Sequence, residues 1–374
     1  MRKVLSIVGA RPQFIKAATV SRALRARPDV TEILVHTGQH YDDNMSAVFF
    51  RELEIPEPDY NLDVGSGPQG AQTADILERV ERVLVDEAPD QVIVYGDTNS
   101  TLAGALAAAK LGIRIAHVEA GLRSFNRAMP EEINRIVADH VADLLLAPTR
   151  AAVDNLAREG IAGPKVALVG DVMYDAILHY GRRAEAHSTA LQRFAVEPGR
   201  YVLATVHRAE NTDNAARLAM ILSALKRLSE RIAVILPLHP RTRRAAQAAG
   251  IELTAGPLRT PEAVGYLDML MLERNARMIA TDSGGVQKEA YFNRVPCVTL
   301  RTETEWVELV ESGWNTLVPP VNVETVFRGL VDGLAAKAAP WAPLYGDGNA
   351  AAAIAERMLG PEIGSSSAPA RRPA

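Results

Sequence analysis

Residues 278–290 read Met278-Ile-Ala-Thr-Asp-Ser-Gly-Gly-Val-Gln-Lys-Glu-Ala290. The opening run, Met278–Thr281, predicts a short buried β-strand. Ser283 is placed to cap a helix, and Gly284 and Gly285 let backbone N–H groups approach an anion closely at that helix's start. Glu289, one turn further on, is positioned to accept hydrogen bonds from ribose hydroxyls. Strand, Ser-Gly-Gly turn, helix and internal Glu together read as a cradle for a nucleotide diphosphate. Arg301-Thr-Glu-Thr-Glu-Trp-Val-Glu308, which follows the next strand, can close over it.

The same alternation extends in both directions from this stretch. Tyr201–Val206, Ala233–Pro237 and Pro296–Leu300 read as further strands of one sheet. Val4–Val8, Ile33–His36, Gln91–Val94, Ile113–Val118, Leu144–Ala147 and Lys165–Val169 read as strands of another. Helical patterns separate them, as in Gln72–Glu87, where Ile76, Leu77, Val80, Val83 and Leu84 recur at helical spacing. Strand–helix alternation that stops and restarts predicts two parallel sheets, each with helices on both faces. A length of 374 residues accommodates two such domains. The boundary is expected between Gly170 and Gly199, where His179 to Arg193 reads as a charged helix or connector.

Composition narrows the function classes. Lys and Arg total 41 against 45 Asp and Glu, a formal net charge of -4, which gives no general surface for nucleic acid or anionic membrane. No apolar run reaches the roughly 18 residues of a membrane helix, and the chain reads as soluble and cytoplasmic. A single cysteine, Cys297, excludes an intramolecular disulfide and any multi-cysteine metal site. The tail from Pro361 is poor in apolar residues and reads as disordered.

In parallel α/β sheets, ligands bind beyond the carboxyl ends of the strands, so polar residues just after each strand are the candidates. Gly9-Ala-Arg-Pro-Gln-Phe-Ile-Lys16 follows the first strand and sets Arg11 and Lys16 near a helix start. No Gly-x-x-x-x-Gly-Lys-Ser/Thr loop exists in the chain. Gly65-Ser-Gly-Pro-Gln-Gly70 fits a dinucleotide pattern formally, but Tyr60–Val64 before it carries Asn61 and Asp63, and it reads as a loop. Asp97, in Gly96-Asp-Thr-Asn99, either caps the next helix or serves as a base or ribose ligand. Glu119 ends another strand in His117-Val-Glu-Ala-Gly-Leu-Arg123, and Met129-Pro-Glu-Glu-Ile-Asn-Arg135 opens a helix with Glu131 and Glu132 in its first turn. Acids there commonly complement the helix dipole. If Asp97, Glu119 and Glu131 converge, they can share acid–base roles, and three carboxylates can also bind a divalent metal. The absence of an Asp-x-Asp pair argues against the metal. In the second half, His207 and His239 each follow a strand and lie beside an arginine, Arg208 or Arg241, which suits phosphate or acid–base work.

Taken in order, these motifs, with Thr37-Gly-Gln-His40 and Tyr345-Gly-Asp-Gly-Asn-Ala350, make the chain resemble the non-hydrolysing UDP-N-acetylglucosamine 2-epimerase family over roughly residues 3 to 358. The resemblance implies an α/β glycosyltransferase-B-like fold, two Rossmann-like domains whose parallel sheets face across a central cleft. Expected boundaries are 1–170 for the sugar-side domain, 171–345 for the UDP-binding domain, 346–360 for a last helix crossing back, and 361–374 for the tail. It also implies a homodimer that needs no metal or other cofactor.

By the same resemblance, UDP rests on Ser283, Gly284, Gly285, Glu289, Arg11, His207 and Arg301, and the sugar lies near Lys16 and Arg123. The implied chemistry is inversion at C2 through loss and re-addition of UDP, with Asp97, Glu119, Glu131 and His207 catalytic. Gln39, His40, Glu131, Arg208 and His239 match positions tied to allosteric binding of a second UDP-N-acetylglucosamine. Thr304-Glu-Trp-Val-Glu308 and the short segment Ser124-Phe-Asn-Arg-Ala-Met129 look more like the branch acting on UDP-2,3-diacetamido-2,3-dideoxyglucuronate, for which Arg127 offers an extra cation. A glycosyltransferase of the same fold is the alternative enzyme. It would require an acceptor and would not normally place so many carboxylates on its substrate.

Overall fold

Alternation of residues along each strand explains why two double-sided sheets form. In the second half, Val202, Ala204, Met278, Ala280 and Val298 point into one apolar cluster, while Tyr201, Leu203, Ile279 and Cys297 point into another. Successive side chains leave a strand on opposite faces, so strands apolar at every position need a layer of helices on each side. A computed structural model of the chain describes residues 1–39, 54, 57–253, 256–337 and 339–360, the side chain of Arg11 excepted. His40 and the segment 361–374 lie outside the described residues.

The first unit comprises residues 1–39, 57–172 and 345–360. Its elements are β1 (Arg2–Val8), α1 (Arg11–Arg25), β2 (Val30–His36), β3 (Tyr60–Asn61), α2 (Gln69–Glu87), β4 (Gln91–Tyr95), α3 (Asn99–Lys110), β5 (Arg114–Val118), α4 (Pro130–Val141), β6 (Leu144–Ala147), α5 (Arg150–Arg158) and β7 (Val166–Leu168). The strands form one sheet in the order β3-β2-β1-β4-β5-β6-β7, and every described pairing in it is parallel. The order reverses between β1 and β4, which makes their carboxyl ends the switch point of this sheet. Helix α3 lies close over that point because it is rich in alanine and carries Gly104. A methyl group at Gly104 would meet Ile7 Cδ1 at 2.6 Å. Gly9 is equally constrained, since a methyl there would overlap the hydroxyls of Ser100 and Thr37.

Val172 is the last residue of the first unit before the chain passes into the second, whose described residues are 54, 173–253, 256–337 and 339–344. The second unit's elements are α6 (Val172–His187), α7 (Ala190–Arg193), β8 (Tyr201–Thr205), α8 (Ala209–Thr212), α9 (Ala215–Ser229), β9 (Ala233–Ile235), α10 (Pro240–Ala248), α11 (Tyr266–Asn275), β10 (Met278–Thr281), α12 (Gly284–Phe292), β11 (Cys297–Thr299), α13 (Val307–Glu311), β12 (Asn315–Leu317) and α14 (Val323–Ala335). The sheet runs β12-β11-β10-β8-β9, again parallel, with its switch point between β8 and β10. His207 and Ser283 follow those two strands. The last helix, α15 (Ala350–Leu359), belongs to the first unit and packs on α1. Arg2 Nη1 donates to its Met358 carbonyl at 3.2 Å.

Candidate active site

At the switch point of the first sheet, Lys16 and Glu119 form an ion pair whose side chains are 10% and 7% exposed. Lys16 comes from the second turn of α1 and Glu119 from the residue after β5. The backbone of Glu119 is left-handed, with φ of 71°. Glu119 and Ala120 both donate their amides to the Leu146 carbonyl, at 3.1 and 3.2 Å. That doubled contact ends the strand and turns the glutamate out of it. A non-glycine residue in this region costs of order 1–3 kcal/mol, and such strain is concentrated at functional positions. Gly96, with φ of 64°, completes the wall. A methyl there would lie 3.0 Å from Lys16 Nζ and 3.1 Å from Glu119 Oε2.

Asp97 does not cap the following helix. Thr98 does so, accepting from the Thr101 amide, and this leaves the Asp97 carboxylate to other work. One of its oxygens accepts from Arg135 Nη2 at 2.7 Å, and its side chain remains 35% exposed. Arg135 is 2% exposed and also pairs with Glu132. Glu132 in turn accepts from the amides of Ser124 and Phe125, both at 2.9 Å, and from the Ser124 hydroxyl at 3.0 Å. Burial pushes the Glu132 carboxyl up, but Ser124 and Arg135 outweigh it and hold the group below the ordinary range. Phe125 is thereby fixed with φ of 59°. Glu131, its neighbour in the first turn of α4, is half-buried.

A second network lies beneath. His117 places Nδ1 2.7 Å from Asp139 Oδ1 and Nε2 2.7 Å from the Gly96 carbonyl. Asp139, fully buried, also accepts from the Gly121 amide at 3.1 Å and from Arg123 Nη1 at 2.7 Å. Desolvation alone would raise its carboxyl; His117 and Arg123 prevail and keep it low. Arg123 completes the set with two 2.7 Å bonds to Glu159 and one to the Leu122 carbonyl. Its guanidinium, expected on the substrate, is committed to the protein interior. The bidentate geometry explains why arginine is required there.

In the second unit, the Asp282 carboxylate is buried at the end of β10. It accepts from the amides of His207 and Arg208 at 3.0 Å and from Asn211 Nδ2 at 2.9 Å, fixing the loop after β8. His207 stands 5.3 Å from His239, ring to ring. His239 caps α10 through Nδ1, which accepts from the Arg241 amide at 3.2 Å. Ser283 occupies the cap position of α12 without using its side chain as a cap. Amides of a helix's first turn have no partner within the helix, so this end attracts anions. Arg301 lies beside it, wholly buried. Nη1 donates to Glu305 Oε2 at 3.0 Å, while Nε and Nη2 have no partner among the described residues. Arg208 Nη2 is 3.6 Å from the other oxygen of Glu305. Glu289 and Lys288 are buried within α12.

The structure thus brings Lys16, Glu119 and Asp97 to one sheet end, with Glu131 on the adjoining helix, and Ser283, Gly284, His207, Arg208 and Arg301 to another. Gln39 is spent on α3, where its carbonyl oxygen accepts from the Ser100 amide at 3.0 Å and from the Ser100 hydroxyl at 2.6 Å. Arg135, His117, Asp139 and Glu305 were missed by the sequence reading. Arg135 and Asp139 stand four apart on α4, on the face with Glu131, which was the signal available. Among the described residues, no group of three or more His, Cys, Asp or Glu side chains could hold a metal ion.

The family model described as UDP-N-acetylglucosamine 2-epimerase matches residues 22–359. The UDP-2,3-diacetamido-2,3-dideoxy-D-glucuronate 2-epimerase of Pseudomonas aeruginosa is 50% identical, the match covering 95% of this chain and 99% of that one. A UDP-N-acetylglucosamine 2-epimerase homolog of Methanococcus maripaludis is also 50% identical, over 95% and 98%. Among solved structures, the UDP-GlcNAc 2-epimerase of Methanocaldococcus jannaschii in complex with UDP-GlcNAc and UDP superposes with a TM-score of 0.90. Its sequence is 43% identical, and the match covers 95% of this chain and 99% of that one.

Proposed function

The chain belongs to the UDP-N-acetylglucosamine 2-epimerase family, isomerases with a glycosyltransferase-B-like fold, and on that premise we propose that it inverts C2 of a UDP-linked 2-acetamido sugar without hydrolysing it. The reaction we assign is the interconversion of UDP-N-acetylglucosamine and UDP-N-acetylmannosamine. A base takes the C2 proton as the C1–O bond to UDP breaks, leaving a C1=C2 double bond in a 2-acetamidoglucal. UDP re-adds at C1 while C2 is protonated from the opposite face. The chemistry needs carboxylates at C2 and cations on the departing diphosphate.

The residues divide accordingly. Asp97, Glu119 and Glu131 handle the proton at C2, with Lys16 paired to Glu119. Ser283, Gly284, Gly285, Arg301 and Arg11 bind the diphosphate, Glu289 the ribose, and His207 the charge that develops on the leaving oxygen. Arg123 acts as a positioning residue through Asp139. Gln39, Arg208 and His239 stand as the described part of a regulatory subsite. We assign the enzyme to the cytoplasm as a homodimer that supplies precursors of cell-surface polysaccharide. No helix among the described residues is long and apolar enough to cross a membrane.

One observation carries this reading: the buried Lys16–Glu119 pair, held on left-handed backbone beside Asp97 at the sheet's switch point. Proton NMR of the full chain with UDP-N-acetylglucosamine in D2O tests it. The expected result is the manno epimer with deuterium at C2, without added metal or acceptor. Glu119→Gln should lower turnover by about 10²–10⁴-fold while UDP still binds. Full activity in that variant would refute the assignment.

The 50% identity to the Pseudomonas aeruginosa enzyme favours a second reading, UDP-2,3-diacetamido-2,3-dideoxyglucuronate as the substrate. Arg127, exposed on the loop that Glu132 anchors, supplies a cation for the uronate carboxylate. Turnover of the uronate but not of UDP-N-acetylglucosamine would decide for it.

A further inference from the structure

The carboxylate of Glu305 sits where an anion belongs. One of its oxygens lies against the α-carbon of Gly284, the first residue of α12, so closely that a methyl group on that glycine would overlap it. Its two oxygens face Arg208 at 3.6 Å and Arg301 at 3.0 Å. A helix start and two guanidinium groups therefore converge on an internal carboxylate, and two buried nitrogens of Arg301, Nε and Nη2, have no partner among the described residues. One carboxylate carries half the charge of a diphosphate and reaches only part of the donor set.

The segment that delivers Glu305 is fixed on both sides. Thr304 Oγ1 donates to Gln287 Oε1 at 2.7 Å and accepts from the Trp306 amide at 3.1 Å. The Trp306 ring lies over Lys288 of α12, whose Nζ is 4.0 Å from the ring centroid. With the backbone pinned at 304 and 306, the Glu305 carboxylate can leave Gly284 by side-chain rotation alone.

We propose that Glu305 is an exchangeable internal counter-anion: its carboxylate competes with the ligand's diphosphate for the α12 cradle, and binding exchanges one for the other on Arg301. This rests on the assignment of UDP to the second unit. An occupant competing for a site weakens the apparent affinity by the fraction of molecules in which it blocks that site. Removing the competitor therefore tightens binding, which is the reverse of what deleting a ligand-contacting residue does.

Calorimetric titration of the full chain with UDP and with inorganic pyrophosphate provides the test, using wild type, Glu305→Gln and Glu305→Asp. Both substitutions keep an acceptor for Arg301. Gln removes the charge, whereas Asp keeps it and shortens the reach to Gly284 by one methylene. Exchange predicts that both variants bind both ligands at least about tenfold more tightly, the size of one well-placed charged contact. Tightening in Glu305→Gln alone would mean that Glu305 acts only through its field, and exchange would be wrong. Equal or weaker binding in both variants would make Glu305 a fixed support of Arg301 and also overturn it. If UDP binds to none of the three proteins, the UDP assignment itself fails, a result separable from the others because wild type then fails too.

Discussion

Glu119 and Asp97 reach similar ends by different means. Each is a carboxylate tied to a cation, but Lys16 is itself nearly buried with Glu119, whereas Arg135 holds Asp97 from below and leaves its side chain a third exposed. The guanidinium of Arg135 spans two carboxylates, Glu132 and Asp97, with two nitrogens of one rigid plane. A lysine carries a single point charge and cannot reproduce that span. Arg135→Lys is therefore expected to reduce kcat by about ten- to a hundredfold, the usual cost of a displaced catalytic group, with a much smaller change in KM. Steady-state kinetics at saturating substrate would show this split. A rise in KM at unchanged kcat would mean that Arg135 serves binding and not the position of Asp97.

At the scale of elements, α4 explains most of what the sequence concealed. Its repeat Glu131, Arg135, Asp139 was visible, yet acids in a first turn ordinarily complement the helix dipole, and nothing local told Glu131 from Glu132. Burial made the distinction: Glu132 turns inward to hold the Ser124–Phe125 backbone, and Glu131 is left half-exposed. The partners of Arg123 were hidden for the same reason. Its partners Asp139 and Glu159 lie 16 and 36 residues away, on α4 and just past α5, and only the folded chain brings them together. The long strands, by contrast, were legible because their buried runs are apolar at most positions on both faces. β12, Asn315–Leu317, was not, since three residues beginning with Asn carry no period. The dense Arg123–Asp139–His117 cluster predicts that Asp139→Asn destabilises the fold by about 3 kcal/mol, because it strips a buried cation of one partner. Urea unfolding monitored by circular dichroism measures that loss, and a change under about 0.5 kcal/mol would contradict it. In the second unit, burial pushes the Cys297 thiol up to about 12. The native protein should thus resist iodoacetamide at pH 8 and react only on unfolding, as mass spectrometry can read directly.

Across the whole molecule, the two units differ in what acid does to them. In the first, Asp139 and Glu132 are held below their ordinary values by buried partners, and burial lowers the His36 imidazole. A group with a lowered value in the folded state gives stability that is present above its unfolded value and lost as pH falls through the folded one. His36 therefore begins to cost stability below its ordinary 6.5, and Glu132 and Asp139 follow below 4.5 and 3.8. In the second unit, carboxyls lowered in this way include Asp213 and Glu324, which sit on the surface beside arginines, where solvent and salt screen the pairing. Acid should accordingly unfold the first unit before the second. The chain supplies its own reporter, because all three tryptophans, Trp306, Trp314 and Trp341, lie in the second unit. Far-UV circular dichroism follows helices of both units, while tryptophan emission follows only one. On titration from pH 7 to pH 2 the dichroism is expected to fall first, with the emission shift at lower pH. Coincident curves, or emission leading, would show that the buried carboxyls of α4 do not set the acid limit, and that the two sheets unfold as one.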